Sequence, residues 1–579
     1  MRVTLSPRPL AALSALLLAS TASPAFAQDW GAPAPSGDFG GPAPTSDATS
    51  ADAAPAPESG ARRGERRQRQ TRVDVSPYLE VGAILSADLK NGGDVLTYST
   101  LAAGVDANIS SRRAELAASI RYERRFGLSD NLSDQDVISG LVRGRYELAR
   151  GLNLEAGGLA SRTRVDGAGA APGIVVGDQS NVANVYSVYA GPTLTQKVAG
   201  LDVGAGYRFG YTKVDVESAA VLVPGVQASD IFDESTNHAA WASVGQRPGR
   251  GLPFGWQLSG GWEREDASQL DQRYDGKYAR ADVTVPIGPT FALLGGVGYE
   301  DIEISQRDVL RDAGGNAVRD AGGRFVTDPA SPRQLAFDVD GLIWDAGVMW
   351  QPSRRTSVTA KVGRRYGDMN YTGSLTYRPN HATLLQVGVY DGISSFGRSL
   401  SGGLAALPTQ FEVSRNPIDG SVGTCAFGAQ GSGCLNPALG NATTAQFRNR
   451  GVQALLSRQS DGWNLGFGGG YDRRRLLAPI GSTLGGLNGV TDENYYAFLS
   501  VARQLDRTSD LSATAFYNYF DNGAAGASDA TSLGGSVTYS KRFWRGLTGT
   551  ASAAINSFDQ DGVNSQLIGS ALLGMRYSF

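Results

Sequence analysis

Residues Arg113–Phe126 read "RAELAASIRYERRF". Ala114, Leu116, Ala118, Ile120 and Tyr122 take alternate positions. Glu115, Ala117, Ser119, Arg121, Glu123 and Arg125 take the positions between them. A period of two is the strand period, because successive side chains leave a strand on opposite faces. Here one face is apolar and the other carries charge of both signs. In "FGWQLSGGW", Phe254, Trp256, Leu258, Gly260 and Trp262 likewise oppose Gln257 and Ser259. In "WNLGFGGGYD", Trp463, Leu465, Phe467 and Tyr471 oppose Asn464, Gly466, Gly468 and Asp472. The pattern starts at Val73 and runs to the end of the chain.

The connections decide how these strands close. Tight, turn-forming pieces occur at 110–113 (SSRR), 149–152 (ARGL), 197–201 (KVAGL), 247–253 (RPGRGLP) and 286–290 (PIGPT). The series continues at 351–356 (QPSRRT), 378–382 (RPNHA), 459–463 (QSDGW), 505–510 (LDRTSD) and 543–547 (FWRGL). The connections between them are mostly longer and more polar, as at 165–181, 214–236, 302–335 and about 392–444. Short and long therefore alternate. This is the loop signature of an up-and-down transmembrane β-barrel, with short periplasmic turns and long extracellular loops. Ten tight turns and eleven intervening connections predict about 22 strands, with a range of 18 to 24 because 237–247 and 445–457 alternate weakly. Lipid cannot hydrogen-bond an open sheet edge, so the sheet must close. A barrel this wide must be filled or constricted, and long loops folding inward would do it.

The N-terminus reads as an export signal: basic Arg2 and Arg8, the apolar stretch "LAALSALLLAS", then "SPAFA" with cleavage after Ala27. Three parts follow: a signal peptide at 1–27, an Ala/Pro/Gly-rich disordered leader with a basic run at 28–72, and the barrel at 73–579. The expected location is the outer membrane of a Gram-negative bacterium, with outer-membrane lipid, lipopolysaccharide and the barrel-assembly machinery as partners. Glycine is abundant, at 76 of 579 residues, and the formal charge is −3, or −5 once Arg2 and Arg8 leave with the signal. Neither charge suits a nucleic-acid binder, which needs a concentrated basic face.

Cys425 and Cys434 flank a small Gly-rich loop, and an exported chain meets an oxidising compartment, so a disulfide is expected. A zinc site would need more ligands. Arg121, Glu123, Arg143, Arg145, Glu147, Asp345, Lys361 and Arg365 are candidates for the lumen face, as mutual ion pairs or as determinants of selectivity. "RDAGGNAVRDAGGRF", Arg311–Phe325, repeats a turn-forming unit and predicts an outer β-ribbon, with calcium at Asp312 and Asp320 as the alternative.

"WDAGVMWQPSRRTSVTAKVGRRYGDMNYTGSLTYRPN", Trp344–Asn380, followed by "LLQVGVYDGIS", resembles a family of uncharacterised outer-membrane β-barrel proteins associated with PEP-CTERM/exosortase and exopolysaccharide systems. The resembling features are a Trp-rich strand, "QPSRRT" at its turn, "GRRYG" and "LTYRPN". The resemblance implies an envelope role and an exopolysaccharide export system as partner. It transfers no functional residues.

Chemistry is sparse. A Ser-His-acid site needs a histidine, and only His238 and His381 exist, the first beginning a strand and the second in a tight turn. No enzyme, cofactor or metal site is expected. The leading expectation is a pore or export channel. The alternatives are a non-transporting surface scaffold and a plugged ligand-uptake receptor. At the C-terminus Ala571, Leu573, Met575, Tyr577 and Phe579 alternate with Leu572, Gly574, Arg576 and Ser578. The first set is predicted to face lipid. Met575, Tyr577 and Phe579 form a candidate signal for barrel assembly.

Overall fold

The computed structural model describes residues 71–92, 95–128, 134–164, 182–216, 230–321, 323–428, 431–435, 439, 442–524, 528–560 and 563–579. The signal peptide and most of the leader, including the basic run up to Gln70, lie outside the described residues. The strands are β1 (Arg72–Asp88), β2 (Leu96–Ser110), β3 (Ala114–Gly127), β4 (Gln135–Ala149), β5 (Leu152–Arg164), β6 (Val182–Val198), β7 (Leu201–Val216) and β8 (Glu234–Gln246). There follow β9 (Gly255–Ala267), β10 (Gln272–Pro286), β11 (Phe291–Gln306), β12 (Gln334–Ser353), β13 (Thr356–Arg365), β14 (Asp368–Asn380) and β15 (Thr383–Ser394). A long loop carries helix α1 (Phe396–Ala406) and the short strands β16 (Glu412–Arg415), β17 (Val422–Phe427) and β18 (Ser432–Cys434). The barrel resumes with β19 (Gln446–Ser460), β20 (Trp463–Leu477), β21 (Thr491–Gln504), β22 (Ser509–Asp521), β23 (Ala530–Trp544), β24 (Leu547–Gln560) and β25 (Val563–Ser578).

Twenty-two of these strands form one sheet, and β16–β18 form a second sheet of three. Closure comes from β1 against β25, antiparallel, from Tyr78↔Ser578 to Asp88↔Ile568. The backbone N–H of Phe579 donates to the Pro77 carbonyl at 3.0 Å, so the final residue is stitched to the first strand. All ten tight turns join consecutive barrel strands at the rim that holds both ends of the sheet. Two show why they are tight. Ala199–Gly200 and Asp461–Gly462 have positive φ at both residues (51° and 85°, 49° and 78°), the geometry of a two-residue hairpin that keeps the strand twist. The expectation that the opposite connections are longer needs correcting at two described places. Residues 268–271 and 366–367 are short, the latter a Tyr366–Gly367 turn with φ of 55° and 74°. The strands also reach further into the long loops than the polarity of those loops suggests, as β7 to Val216 and β11 to Gln306.

The alternation places apolar residues outward. Leu342 is 65% exposed and its neighbour Ile343 4%; Leu573 is 69% exposed and Leu572 4%. Met575, Tyr577 and Phe579 lie on the exposed face with Leu573, and Tyr577 meets Phe579 edge-on at 5.0 Å. Among the described residues no helix is long and apolar enough to cross a membrane; the strands make the crossing. We expect deletion of Phe579 to lower the yield of inserted barrel several-fold while leaving the conductance of inserted molecules unchanged. Heat-modifiable gel mobility and bilayer recordings check this, and normal insertion would refute an assembly role.

Candidate functional site

The lumen is occupied by the chain's own loop. Ser394 and Phe447 are paired neighbours on β15 and β19, so the segment between them leaves and re-enters the barrel at one hairpin. Helix α1 starts directly, capped by Ser395, whose side-chain oxygen accepts from the Arg398 N–H at 3.1 Å. Phe396, Leu400 and Leu404 follow at helical spacing and share one face. They pack on inward-pointing Leu141, Leu159, Ala183, Val185, Tyr189 and Val214, on β4 to β7. An apolar patch on a barrel's inner wall needs a cover, and α1 is that cover.

The loop runs deep. Thr409 Oγ1 donates to Glu115 Oε2 at 2.6 Å, and Glu115 is the second residue of β3, beside a tight turn. From there the chain turns back through the β16–β18 sheet. Cys425 and Cys434 are directly opposed in it and disulfide-bonded. Both are buried, at 1% and 3% exposure. This hairpin sits against β20. The space for the Phe427 ring exists because residue 466 is glycine. A Cβ on Gly468 would lie 2.7 Å from Cys434 Sγ. The glycines of "GFGGGYD" are thus a seat for the plug as well as a smooth strand. Phe427 also stacks with Phe498 on the adjacent β21 at 6.3 Å.

Buried charges fix the plug. Arg398 lies 3.2 Å from Glu263 and 3.2 Å from Glu265, with side-chain exposures of 1%, 5% and 0%. Its guanidinium also donates to Gln446 Oε1 at 2.9 Å and covers the Tyr274 ring at 3.5 Å. Burial alone would lower its pKa, but Glu263, Tyr274 and Glu265 outweigh that and raise it. Arg415 has a different environment. It donates to Ser119 O at 2.9 Å, Ser139 Oγ at 2.7 Å and Gly420 O at 3.0 Å, all neutral. Burial pulls its pKa down, and Arg121 and Arg576 push the same way. Two wall residues hold the turn between β16 and β17: Arg125 donates to Asp419 O at 2.6 Å and Ser139 to Gly420 O at 2.8 Å.

The residues proposed for the lumen face divide into two groups. Arg121 pairs with Glu123 and with Glu80 at 3.1 Å, and Glu123 also meets Arg125 at 2.6 Å. Arg143 pairs with Glu155 at 2.8 Å while donating to the Ala405 and Leu407 carbonyls at 3.1 and 3.3 Å. Arg145 lies 3.2 Å from Glu115, the carboxylate that receives Thr409. These residues, all on β3 and β4, serve the plug directly or through one or two neighbours. Glu147 is half-buried near the end of β4. Asp345 and Lys361 join Arg280 and Asp282 on another wall, with Lys361 Nζ 3.4 Å from Asp345. Arg365 pairs with Glu300 at 2.8 Å. Arg398, Glu263 and Glu265 were not anticipated from sequence, since nothing local marks charges more than 130 residues apart as partners.

His238 faces outward, 2.7 Å from the Tyr207 hydroxyl and packed on Phe209. In the repeated loop Asp312 Oδ1 accepts from the N–H groups of Gly314 and Asn316, both at 2.8 Å, and Asp320 Oδ1 from that of Arg324 at 2.9 Å. Each carboxylate caps its own turn. Among the described residues no group of three or more metal-ligating side chains occurs.

Outer loops close over the plug. Leu270, Val309, Phe325, Phe447, Leu476, Leu484 and Leu487 form one apolar cluster there. Asp230 ties it to the stem of the plug. Its carboxylate accepts from Gln269 Nε2 and, at 3.0 Å, from the Phe325 N–H, and its carbonyl accepts from Thr444 N–H at 3.2 Å. Burial pushes its carboxyl up to about 6, against the pull of Gln269, the Phe325 N–H, Arg319 and Arg324. A raised carboxyl binds its proton more tightly in the closed cap than in an open one. Cap stability therefore falls as pH rises from about 4 to about 6, by about 3 kcal/mol, and stays low above that. Protection factors at the Phe325 and Thr444 amides, corrected for the intrinsic pH dependence of exchange, should rise on acidification across this window, and Asp230→Asn should abolish the rise. An unchanged profile in that variant would refute the assignment.

No family model matches the chain, and none of the curated proteins does. Several solved structures are similar. The FrpB iron transporter from Neisseria meningitidis (F3-3 variant) is 11% identical, with a TM-score of 0.40 over 87% of this chain and 81% of its own. The closed form of the ferric-catecholate import receptor Fiu from E. coli K12 is also 11% identical, at TM-score 0.41 with the same coverage. The siderophore receptor PiuA from Acinetobacter baumannii is 10% identical, at TM-score 0.39 over 86% of this chain and 82% of its own. Superpositions this loose leave ligand and mechanism to be argued from the chain's own residues.

Proposed function

We propose that the protein is an outer-membrane transport barrel that rests closed, plugged by its own outer loop 395–445, and admits a polar solute when that loop is displaced. The observation that supports this is the path of the loop. It enters at the rim of long connections, touches Glu115 near the opposite rim and returns to its own hairpin. A permanently open pore has no use for so many buried contacts across its lumen. Uptake fits better than export because the stem of the plug lies with the outer cap, where a ligand from outside meets it first. The wall carries both signs of charge in paired form, which suits a polar cargo without strong charge preference. The link to envelope polysaccharide, implied by the resemblance of Trp344–Asn380, belongs to the same proposal as the source of the cargo or signal. Solute flux tests it. Proteoliposomes of the intact protein should exclude small sugars, and removal of the plug should admit them. Free permeation through the intact protein would overturn the closed resting state, and a sealed barrel after plug removal would favour a scaffold.

A further inference from the structure

The outward faces of β19 and β20 carry four arginines in a square. Arg448 is directly opposite Arg475, and Arg450 directly opposite Arg473. Like charges in opposed positions on one face of a sheet repel, so the square needs counter-charge. On the β19 side it has some. Arg448 and Arg450 share Asp391, at 2.8 and 3.0 Å, and Asp368, at 3.3 and 2.9 Å. On the β20 side it has little. Arg473 is 3.8 Å from Glu493, with half of its side chain exposed. Arg475 is exposed and has no carboxylate within 4 Å among the described residues. Arg474, between them, points inward and is fully engaged by Asp492 at 3.0 and 3.1 Å. The two outward guanidinium groups of "RRR" are thus the under-compensated ones.

Their height identifies the counter-charge. One outward position below the square, Tyr471, Tyr495 and Tyr519 form a ladder across β20, β21 and β22, with centroids 4.9 and 6.0 Å apart. Outward tyrosines in a row mark the boundary between hydrocarbon and headgroups. Phe467 and Leu499 continue the apolar surface beneath. Arg473 and Arg475 therefore stand at headgroup depth on the long-loop side. The planar guanidinium fork matches a phosphate with two parallel hydrogen bonds, and the tyrosine ladder offers a continuous aromatic surface to the acyl chains below. We infer that the outer face of β19–β20 is a binding site for a phosphorylated glycolipid of the outer leaflet, held by Arg473 and Arg475. The inference depends on the barrel and its orientation, and is independent of the plug.

Native mass spectrometry of the full chain in detergent, titrated with diphosphoryl lipid A, tests it. The unmodified protein should retain one lipid A. The double variant R473Q/R475Q should bind on the order of tenfold more weakly, as expected for two surface cations. R473K/R475K should keep most of the affinity, and R354Q/R355Q, in a tight turn at the other rim, all of it. Lipid A without phosphates should bind every form equally weakly. Indistinguishable titrations of the unmodified protein and R473Q/R475Q would overturn the site. Equally strong retention of phosphate-free lipid A would overturn it too, and equal competition by phosphatidylglycerol would overturn the glycolipid assignment. Heat-modifiable mobility shows that each variant is folded, and the lysine pair keeps the test valid if the glutamine pair assembles poorly.

Discussion

A barrel lacking residues 396–444, with Ser395 joined to Ala445 through an Asn-Gly turn, should insert normally and conduct on the order of tenfold or more above the intact protein. The barrel tolerates the cut because β15 and β19 are paired from Thr383↔Arg458 to Ser394↔Phe447 whether or not the loop is present. An Asn-Gly turn is the favoured closure for adjacent antiparallel strands. The conductance rises because the deleted segment carries α1, the disulfide hairpin and the Thr409 contact with Glu115, which together fill the lumen along its length. Three measurements bear on the result. Heat-modifiable mobility should persist, planar-bilayer steps should grow, and sugar influx into liposomes should appear. A folded but still silent barrel would show that something other than loop 395–445 seals the lumen, and the proposed gate would fall with it. The deletion uncovers Leu141, Leu159 and Val185, which will cost some stability. A parallel variant keeping α1 but lacking 408–441 separates that cost from gating.

The barrel was legible in the sequence and its plug was not, for a physical reason. Turn chemistry is local: Asp461–Gly462 and Ala199–Gly200 announce themselves because few residues tolerate positive φ. Alternation is local too, so Leu573 and Leu572 sort correctly onto their faces. Tyr366–Gly367 is a turn of the same geometry, but in "RRYGD" it stands on the side where the other connections are mostly long, so a two-residue turn is not expected there. The plug depends on distant pairs. Arg398 finds Glu263 and Glu265 only after seven strands have curved back toward each other, and Arg415 finds Ser119 nearly 300 residues upstream. The helical spacing of Phe396, Leu400 and Leu404 was present, but Gly402 and Gly403 dilute it. Packing on β4–β7 supplies what propensity lacks. The eight charges proposed for the lumen were found by parity alone, which cannot tell an ion pair in a wet wall from an anchor. Arg143 is both.

Arg398→Met should release the plug without unfolding the barrel. The substitution keeps an unbranched apolar stem and removes the guanidinium with its charge. Glu263 and Glu265 are then left buried on β9 without their paired cation, an arrangement that costs about 3 kcal/mol or more. The β8–β9–β10 ladders are unaffected, so the penalty falls on the seated loop, because a displaced loop lets water reach both carboxylates. A shift of about 3 kcal/mol changes the ratio of closed to open states by roughly a hundredfold. The variant should open frequently in bilayer recordings, and its loop should be cut by protease while the barrel fragments stay associated. Adding Glu263→Gln and Glu265→Gln should restore closure, since neutral amides no longer require the cation. If Arg398→Met stays as quiet as the unmodified protein, the Arg398 cluster does not hold the gate. If the triple variant stays as open as the single, Arg398 acts through its packing on Tyr274 rather than its charge. The two outcomes differ because the Tyr274 contact, at 3.5 Å, is lost equally in both variants.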